Sequence, residues 1–159
     1  MILYLVRHGE ALSELLDFKR PLTENGRRQV NELAQLLKKK KVRIDKVCHS
    51  SLLRAQETAQ LLKESLGLVN EVERIDGLLP NDTDNYIGKT ISEFERSHPL
   101  GALMLVGHLP FLPKLAQKLL NSDQKQQSLD LDVAGLLCLN YAHERGWFLE
   151  WKSSPRDLL

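Results

Sequence analysis

Short apolar runs alternate along this chain with longer amphipathic segments, and this alternation most restricts the folds that are open to it. Residues 2–6 and 102–106 are uninterrupted apolar runs, a pattern typical of strands buried on both faces. The amphipathic segments have the length of helices, about 10–15 residues. Strands that alternate with such helices predict an α/β protein with a mostly parallel central sheet between two helical layers, a three-layer α/β/α sandwich.

The same patterns give approximate bounds for each element. Strands are predicted at 2–6, 46–49, 72–75, 102–106, 133–140 and 147–151, with loops at 7–20, 76–85 and 121–130. The first helix is predicted to start at Thr23 as its N-cap, and the second at a cap supplied by Ser50 or Ser51. A third helix is predicted at 86–97 and a fourth after Pro110. Trp147 and Trp151 are expected to face the same side of the last strand.

Composition limits the classes of protein to which the chain can belong. At 159 residues it is predicted to form a single domain spanning 1–159. Hydrophobic residues make up 42% and charged residues 27%, which excludes a disordered tail and a disulfide scaffold. The formal net charge of +1 argues against a general nucleic-acid binder.

Cysteine use and hydropathy predict a cytoplasmic protein. Cys48 and Cys138 both lie in apolar runs, away from any Cys or His at metal-binding spacing, and are expected to be reduced core residues. No apolar stretch approaches the roughly 20 residues that a membrane-spanning helix needs, so no membrane association is expected.

Four basic side chains, two arginines and two histidines, follow the predicted strands. Arg7 and His8 follow the first strand, Arg54 lies in the first turn after the second, and His108 follows the run at 102–106. The carboxyl ends of parallel strands meet at one edge of the sheet, where ligands bind in folds of this class. We therefore expect these four side chains to form one site.

Two guanidinium groups and two imidazoles are suited to phosphoryl transfer. Arginine presents a planar set of donors that fits a phosphate, and it keeps its charge. An imidazole acts as a nucleophile when one nitrogen is deprotonated and the other is held by an acceptor. Arg7, Arg54 and His108 are therefore predicted to stabilise a phosphoryl group around His8. Gly9 is expected to let the backbone turn tightly and approach the anion.

The order of the motifs resembles that of the histidine phosphatase superfamily, which includes the phosphoglycerate mutases. The resemblance covers essentially the whole chain. The motifs that carry it are Arg7-His8-Gly9-Glu10, Pro21-Leu22-Thr23 with Gly26, Ser50-Ser51 followed by Arg54-Ala55-Gln56 and Thr58-Ala59, and Gly107-His108.

The short length and the segment Arg20-Pro21-Leu22-Thr23 resemble the SixA branch, the compact phosphohistidine phosphatases. This resemblance implies a phosphoglycerate mutase-like fold, His8 as the nucleophile that becomes phosphohistidine, and no metal or other cofactor. Arg7, Arg54 and His108 would then bind the phosphoryl group. The implied substrate is phosphohistidine on a partner protein, such as a phosphotransfer domain or phosphocarrier of a bacterial signalling or transport system.

The sequence departs from the family where many members carry a Glu or Asp as general acid. Asp82 and Asp84 lie in that part of the chain but match no motif, so they are candidates only. An imidazole leaving group can depart protonated, because its pKa is about 6.5, whereas an alkoxide needs an acid. The departure therefore favours an N–P substrate.

Several alternatives remain open from the sequence. The chain could instead be a phosphomonoesterase acting on a phosphorylated small molecule, or a non-catalytic phosphate-binding module. Arg20 is expected either to reach the phosphate or a substrate carboxylate, or to form a surface ion pair. Glu10 is expected either to orient part of the substrate-binding site or to be exposed. His49 is predicted to be structural, and His98 and His143 to lie in exposed loops.

Overall fold

A six-stranded sheet forms the centre of the protein in a computed structural model that describes residues 1–13, 16–121, 123 and 126–158. Its strands are β1 (Ile2–Arg7), β2 (Lys46–His49), β3 (Glu73–Arg74), β4 (Ala102–Gly107), β5 (Leu136–Ala142) and β6 (Gly146–Ser153). They are ordered β3-β2-β4-β1-β5-β6. The first four in this order pair in parallel, whereas β5 and β6 pair antiparallel at one edge. The mostly parallel sheet predicted from the sequence is confirmed.

Four helices connect these strands: α1 (Glu24–Lys39), α2 (Leu53–Leu66), α3 (Asp84–Ser97) and α4 (Phe111–Leu119). Thr23 is the N-cap of α1, as predicted, because its Oγ1 accepts a hydrogen bond from the Gly26 amide at 2.9 Å. The predicted cap of α2 is wrong. The residue before α2 is Leu52, which makes no side-chain cap, and the Ser50 hydroxyl turns instead to His108.

The sheet separates two apolar layers, because successive residues of a strand point to opposite faces. Leu103 and Leu105 of β4 pack with apolar residues of α3 and α4 on one face. Met104 and Val106 pack with those of α1 and α2 on the other. The three-layer α/β/α architecture is therefore confirmed. The described part of the chain contains no helix that is long and apolar enough to cross a membrane.

The two tryptophans of β6 face opposite layers, contrary to the sequence prediction. Leu139 of β5 pairs with Leu149, but the next residue, Cys138, pairs with Trp151. Glu150 is therefore an extra residue on β6, a β-bulge that reverses which residues face each side. Trp147 packs with the α3/α4 layer, whereas Trp151 packs with the α1/α2 layer.

Two loop predictions fall partly outside the described residues, which omit 14, 15, 122, 124 and 125. Within the described part of the first loop, Asp17–Lys19 form a short 3-10 helix. The predicted start of β5 at residue 133 is also too early. Ala134 has a φ of 53° and the Gly135 amide donates to the Asp132 carbonyl, so a turn precedes the strand. Cys48 and Cys138 are buried free thiols, as predicted.

Candidate active site

Two neighbouring parallel strands bring His8 and His108 to the same edge of the sheet. Arg7, the last residue of β1, lies directly opposite Gly107, the last residue of β4. The next residue of each segment is a histidine, and the His8 amide donates to the Gly107 carbonyl at 3.1 Å. The two imidazole centroids are 5.1 Å apart. The strand register thus produces the pair of imidazoles that the sequence predicts.

Hydrogen bonding determines which nitrogen of His8 carries the proton. Nδ1 lies 2.7 Å from the carbonyl oxygen of Gly9. Because a carbonyl only accepts, Nδ1 is the protonated nitrogen and Nε2 keeps its lone pair. Nε of Arg54 donates to this Nε2 at 3.3 Å. The nucleophilic nitrogen of a neutral His8 therefore faces a guanidinium group.

Helix α2 positions Arg54 against the loop that follows β1. Nη1 of Arg54 donates to the Asp17 carbonyl at 2.9 Å and lies 3.2 Å from the Asp17 carboxylate. One turn later, the Thr58 hydroxyl donates to the Arg54 carbonyl at 2.7 Å and accepts from the Gly9 amide at 3.1 Å. Thr58 thus ties the helix that carries Arg54 to the segment that carries His8.

Arg7 retains a buried donor that nothing in the described residues satisfies. Its Nη1 donates to the Leu131 carbonyl at 3.1 Å, but Nε has no hydrogen-bond partner within that part of the chain. Arg7 also lines a cavity of about 530 Å³, whose charged lining is mixed: Lys152 and Arg156 with Asp130, Asp132 and Asp157. Burial lowers the pKa of Arg7, but a guanidinium group stays charged at neutral pH. A half-buried cation with a free, buried donor is suited to an anion.

His108 is almost completely buried and is held through one nitrogen. Its Nε2 lies 2.5 Å from the Ser50 hydroxyl. Its Nδ1 is also buried and has no hydrogen-bond partner among the described residues. The ring therefore has one further polar atom available to a ligand.

The environment keeps both imidazoles neutral. Burial lowers the pKa of His8 to about 4, and the positive charges of Arg54, Arg7 and Arg20 act in the same direction. Burial likewise lowers the pKa of His108 to about 3, with further contributions from His8, Arg54 and Arg7. The negative charge of a bound phosphoryl group would be stabilised by the guanidinium groups beside these two neutral rings.

Gly9 lies at the site, but for a different reason from the predicted one. Its φ is not in the left-handed region, so no tight glycine turn occurs there. A Cβ at Gly9 would instead lie 2.8 Å from the Gly26 carbonyl oxygen and 3.0 Å from Cγ2 of Val30. Close packing against α1 therefore requires the glycine, and its carbonyl is the acceptor that orients His8.

Glu10 and Arg20 both contact neighbouring side chains. The Glu10 carboxylate accepts from the Thr23 hydroxyl at 2.8 Å and from the Asn25 amide at 3.0 Å, and these hydrogen bonds lower its pKa. Arg20 forms an ion pair with Asp17 at 3.4 Å. This contact matches one of the two expectations for Arg20, a surface ion pair. The positive charge of Arg20 also contributes to the lowered pKa of His8.

The two acid candidates lie in different settings. The Asp82 carboxylate accepts from the Leu79 amide at 2.8 Å and so closes a turn. Leu78, which directly precedes this turn, lies beside the end of β4, since its carbonyl oxygen is 3.3 Å from a Cβ placed at Gly107. Asp84 is paired with Lys118 at 2.6 Å. Asp82 therefore stays the candidate acid, whereas Asp84 already has a cationic partner.

Sequence reasoning assigns no positioning role at the site to Asp17, Ser50 or Thr58: Ser50 is predicted as a helix cap, and Thr58 is named only as part of a family motif. Ser50 directly follows β2, so the rule that chemistry follows strands could have identified it. Thr58 lies four residues after Arg54, on the same face of α2. Asp17 lies in a loop, and no sequence pattern points to its contact with Arg54.

The remaining predicted side chains lie outside the cluster. His49 is buried at the end of β2, where its Nδ1 donates to the Ser50 carbonyl at 2.8 Å. His98 and His143 are exposed, as predicted. Within the described residues, no group of three or more His, Cys, Asp or Glu side chains is placed to hold a metal ion.

Comparison with known proteins identifies similar chains over most or all of this length. A family model described as "Histidine phosphatase superfamily (branch 1)" matches residues 3–101. The phosphohistidine phosphatase SixA of Escherichia coli (strain K12) is 29% identical over 166 residues, covering 99% of this chain and 96% of that protein. An uncharacterised protein of Picosynechococcus sp. (strain ATCC 27264 / PCC 7002 / PR-6) is 33% identical over 145 residues, covering 87% of this chain and 84% of that protein. Among solved structures, the protein histidine phosphatase SixA complexed with tungstate has a TM-score of 0.90 at 24% identity, with 100% of each chain covered.

Proposed function

The chain belongs to the histidine phosphatase superfamily, and we propose that this phosphatase hydrolyses phosphohistidine on a partner protein through a phospho-His8 intermediate. One observation carries the proposal. The hydrogen bond from His8 Nδ1 to the Gly9 carbonyl leaves Nε2 unprotonated, and Arg54 Nε lies 3.3 Å from it. The nucleophile is thus in its reactive form beside a cation that can bind a phosphoryl oxygen.

Two displacements at phosphorus account for the reaction. In the first, the lone pair of His8 Nε2 attacks phosphorus, the N–P bond of the substrate breaks, and the substrate imidazole leaves with a proton from solvent. In the second, water attacks phospho-His8, the new N–P bond breaks, and inorganic phosphate forms. The donors of Arg7, Arg54 and His108 stabilise the charge on the equatorial oxygens in both steps.

The leaving group favours a phosphohistidine substrate. An imidazole departs readily once protonated, because its pKa is about 6.5, and solvent supplies that proton near neutral pH. Of the two candidate acids, Asp84 is paired with Lys118, and the Asp82 carboxylate already accepts from the Leu79 amide. A site with little acid assistance therefore suits an N–P bond better than an ester.

Exposed apolar side chains beside the site support a protein substrate. Leu16 and Phe18 are 66% and 54% exposed and flank Asp17, whose carbonyl contacts Arg54. Leu109, which directly follows His108, is also exposed. Apolar groups gathered around a polar site are typical of surfaces that bind another macromolecule.

A small-molecule phosphomonoesterase is the second candidate function. Leu78, which leads into the turn closed by Asp82, lies beside the end of β4, so Asp82 is the candidate acid that would protonate an alcohol leaving group. The two candidate functions differ in the leaving group, an imidazole or an alcohol. Rates measured on both kinds of substrate therefore test both functions.

The test compares initial rates on a phosphohistidine protein, p-nitrophenyl phosphate and simple sugar phosphates, with EDTA present throughout. The proposal predicts the highest kcat/KM for the phosphohistidine protein. Phosphate bound to the enzyme should be recovered on His8 after rapid quenching in alkali, in which phosphohistidine is stable. A higher kcat/KM for an ester would favour the second candidate.

The controls compare two histidine variants. His8→Ala removes the nucleophile and should abolish both turnover and phosphoenzyme. His143→Ala, which changes an exposed histidine on the β5–β6 turn, should preserve both. Full activity in His8→Ala, or no phosphate incorporation by the wild-type protein from any donor, would contradict the proposal.

A further inference from the structure

The closest side-chain partner of His108 is Ser50, which the reaction above does not use. The Ser50 hydroxyl oxygen lies 2.5 Å from Nε2 of His108. Ser50 is 0% exposed, and His108 is 1% exposed. The contact is therefore shielded from water, where the direction of a hydrogen bond determines the protonation of the ring.

The surroundings of Ser50 indicate that its hydroxyl donates. The Leu52 amide donates to the Ser50 oxygen at 3.3 Å and so occupies one of its lone pairs. Within the described residues, Nε2 of His108 is the one acceptor within hydrogen-bond distance of the Ser50 hydroxyl. A hydroxyl that donates to Nε2 requires an unprotonated Nε2, so the proton of neutral His108 lies on Nδ1.

We propose that Ser50 is a positioning residue that holds His108 in the Nδ1–H form and thereby keeps one N–H group free for a phosphoryl oxygen. Nδ1 is buried and has no hydrogen-bond partner in the described part of the chain. A buried donor without an acceptor is unfavourable, so binding an acceptor there is favoured. The His8 ring is 5.1 Å away, and a phosphoryl group on it would bring oxygen acceptors to this region.

The backbone positions the short segment from Ser50 to Arg54 so that its residues contact both His8 and His108. His49 of β2 pairs with Val106 of β4, and the Ser50 amide donates to the Val106 carbonyl at 3.2 Å. Ser50 therefore reaches the end of β4 beside His108. Helix α2 begins three residues later and places Arg54 on His8. In this segment, Ser50 thus contacts the His108 ring and Arg54 contacts the His8 ring.

The proposal that the Nδ1–H group binds a phosphoryl oxygen rests on the proposed function. The proposal that His108 is protonated at Nδ1 does not. Nitrogen-15 NMR of the histidine side chains identifies the protonated nitrogen without any turnover. In the wild-type protein, we expect His108 to show a protonated Nδ1 and an unprotonated Nε2. In Ser50→Ala, the proton should redistribute between the two nitrogens, and the pKa of His108 should rise because Nε2 becomes free to accept a proton.

Two further variants separate this role from a general effect on folding. Ser50→Thr keeps the hydroxyl and should restore the Nδ1–H form. Ser51→Ala removes the neighbouring hydroxyl, which makes no contact with His108 in the structure, and should leave the tautomer unchanged. Circular dichroism and thermal unfolding identify any variant that does not fold, and the wild-type tautomer alone still tests the proposal.

Function is measured with inorganic phosphate as the probe of binding and with the substrate that gives the highest wild-type rate. Ser50→Ala should weaken phosphate binding and lower kcat, each on the order of tenfold, because the donor is no longer held in place. A wild-type His108 protonated at Nε2, or an unchanged tautomer in Ser50→Ala, would overturn the Ser50 proposal. A wild-type protein with the expected tautomer but no phosphatase activity would support the Ser50 contact and contradict the proposed function.

Discussion

His8 and His108 occupy equivalent positions one residue beyond a register pair of adjacent parallel strands. Arg7 lies opposite Gly107, and each is followed by a histidine. The result is two buried rings 5.1 Å apart that come from positions 100 residues apart in the sequence. Because the rings are close and buried, protonation of either one disfavours protonation of the other.

The pH dependence of kcat/KM should reflect the low pKa of His8. Burial lowers the pKa of His8 to about 4, so the nucleophile stays unprotonated well below neutral pH. We expect the acidic limb of kcat/KM to fall near pH 4 rather than near the value of about 6.5 for an unperturbed imidazole. The assay subtracts an enzyme-free blank at each pH, because phosphohistidine hydrolyses in acid. An acidic limb near the unperturbed value would contradict this prediction.

The same low pKa values predict that the protein loses stability in acid. The folded pKa of His8 is about 4 and that of His108 about 3, whereas an unfolded histidine has a pKa of about 6.5. Between these values the unfolded chain binds more protons, so the free energy of unfolding falls as pH is lowered through this window. Urea unfolding from pH 7 to pH 4 measures the slope, which should be smaller in His8→Asn than in the wild-type protein.

Thr58 should be required for both stability and activity. Its hydroxyl accepts from the buried Gly9 amide, and Gly9 in turn orients His8. Thr58→Val keeps the shape but leaves that amide without a partner, which should cost about 1–3 kcal/mol of unfolding free energy and lower kcat. Thr58→Ser retains the hydroxyl and is the matched control. Equal stability and equal kcat in the Val and Ser variants would show that the hydroxyl is dispensable.

The parts of the site that follow strands could be predicted from the sequence, whereas the contacts that orient them could not. A buried apolar run indicates a parallel strand, and the residue after it must lie at the carboxyl edge of the sheet. That argument locates His8 and His108. It does not reveal that Ser50 contacts His108, because this contact depends on the register between β2 and β4.

The prediction that Trp147 and Trp151 face the same side of the last strand is wrong for a related reason. Alternation along a strand assumes that each residue has one partner, and the bulge at Glu150 breaks that assumption. The sequence around the bulge contains no glycine or proline that would mark it. A backbone irregularity of this kind depends on packing against the neighbouring strand, which local periodicity does not describe.

Substitution by alanine should have opposite effects at two helical glycines, because Gly26 packs closely against another backbone segment whereas Gly88 does not. A Cβ at Gly26 would collide with the Glu10 carbonyl, which cannot move away without displacing the segment that follows His8. Gly26→Ala should therefore destabilise the protein by about 1–3 kcal/mol and lower kcat. Gly88 lies within α3, and a Cβ there meets nothing within 4 Å. Gly88→Ala should stabilise the protein by about 0.5–1 kcal/mol, and thermal unfolding of the two variants measures both effects.

Asp82→Asn tests how far the leaving group depends on an acid. Asparagine keeps an oxygen that can accept from the Leu79 amide, so the turn should persist while the acidic proton is lost. We expect little change in kcat on phosphohistidine, because an imidazole leaves readily, but a decrease of about 100-fold on an alkyl phosphate if Asp82 is its acid. Asp84→Asn, which changes the partner of Lys118, is the matched control and should affect neither substrate. An equally large loss on both substrates would show that Asp82 does more than protonate the leaving group, and the argument from leaving-group chemistry for an N–P substrate would then fail.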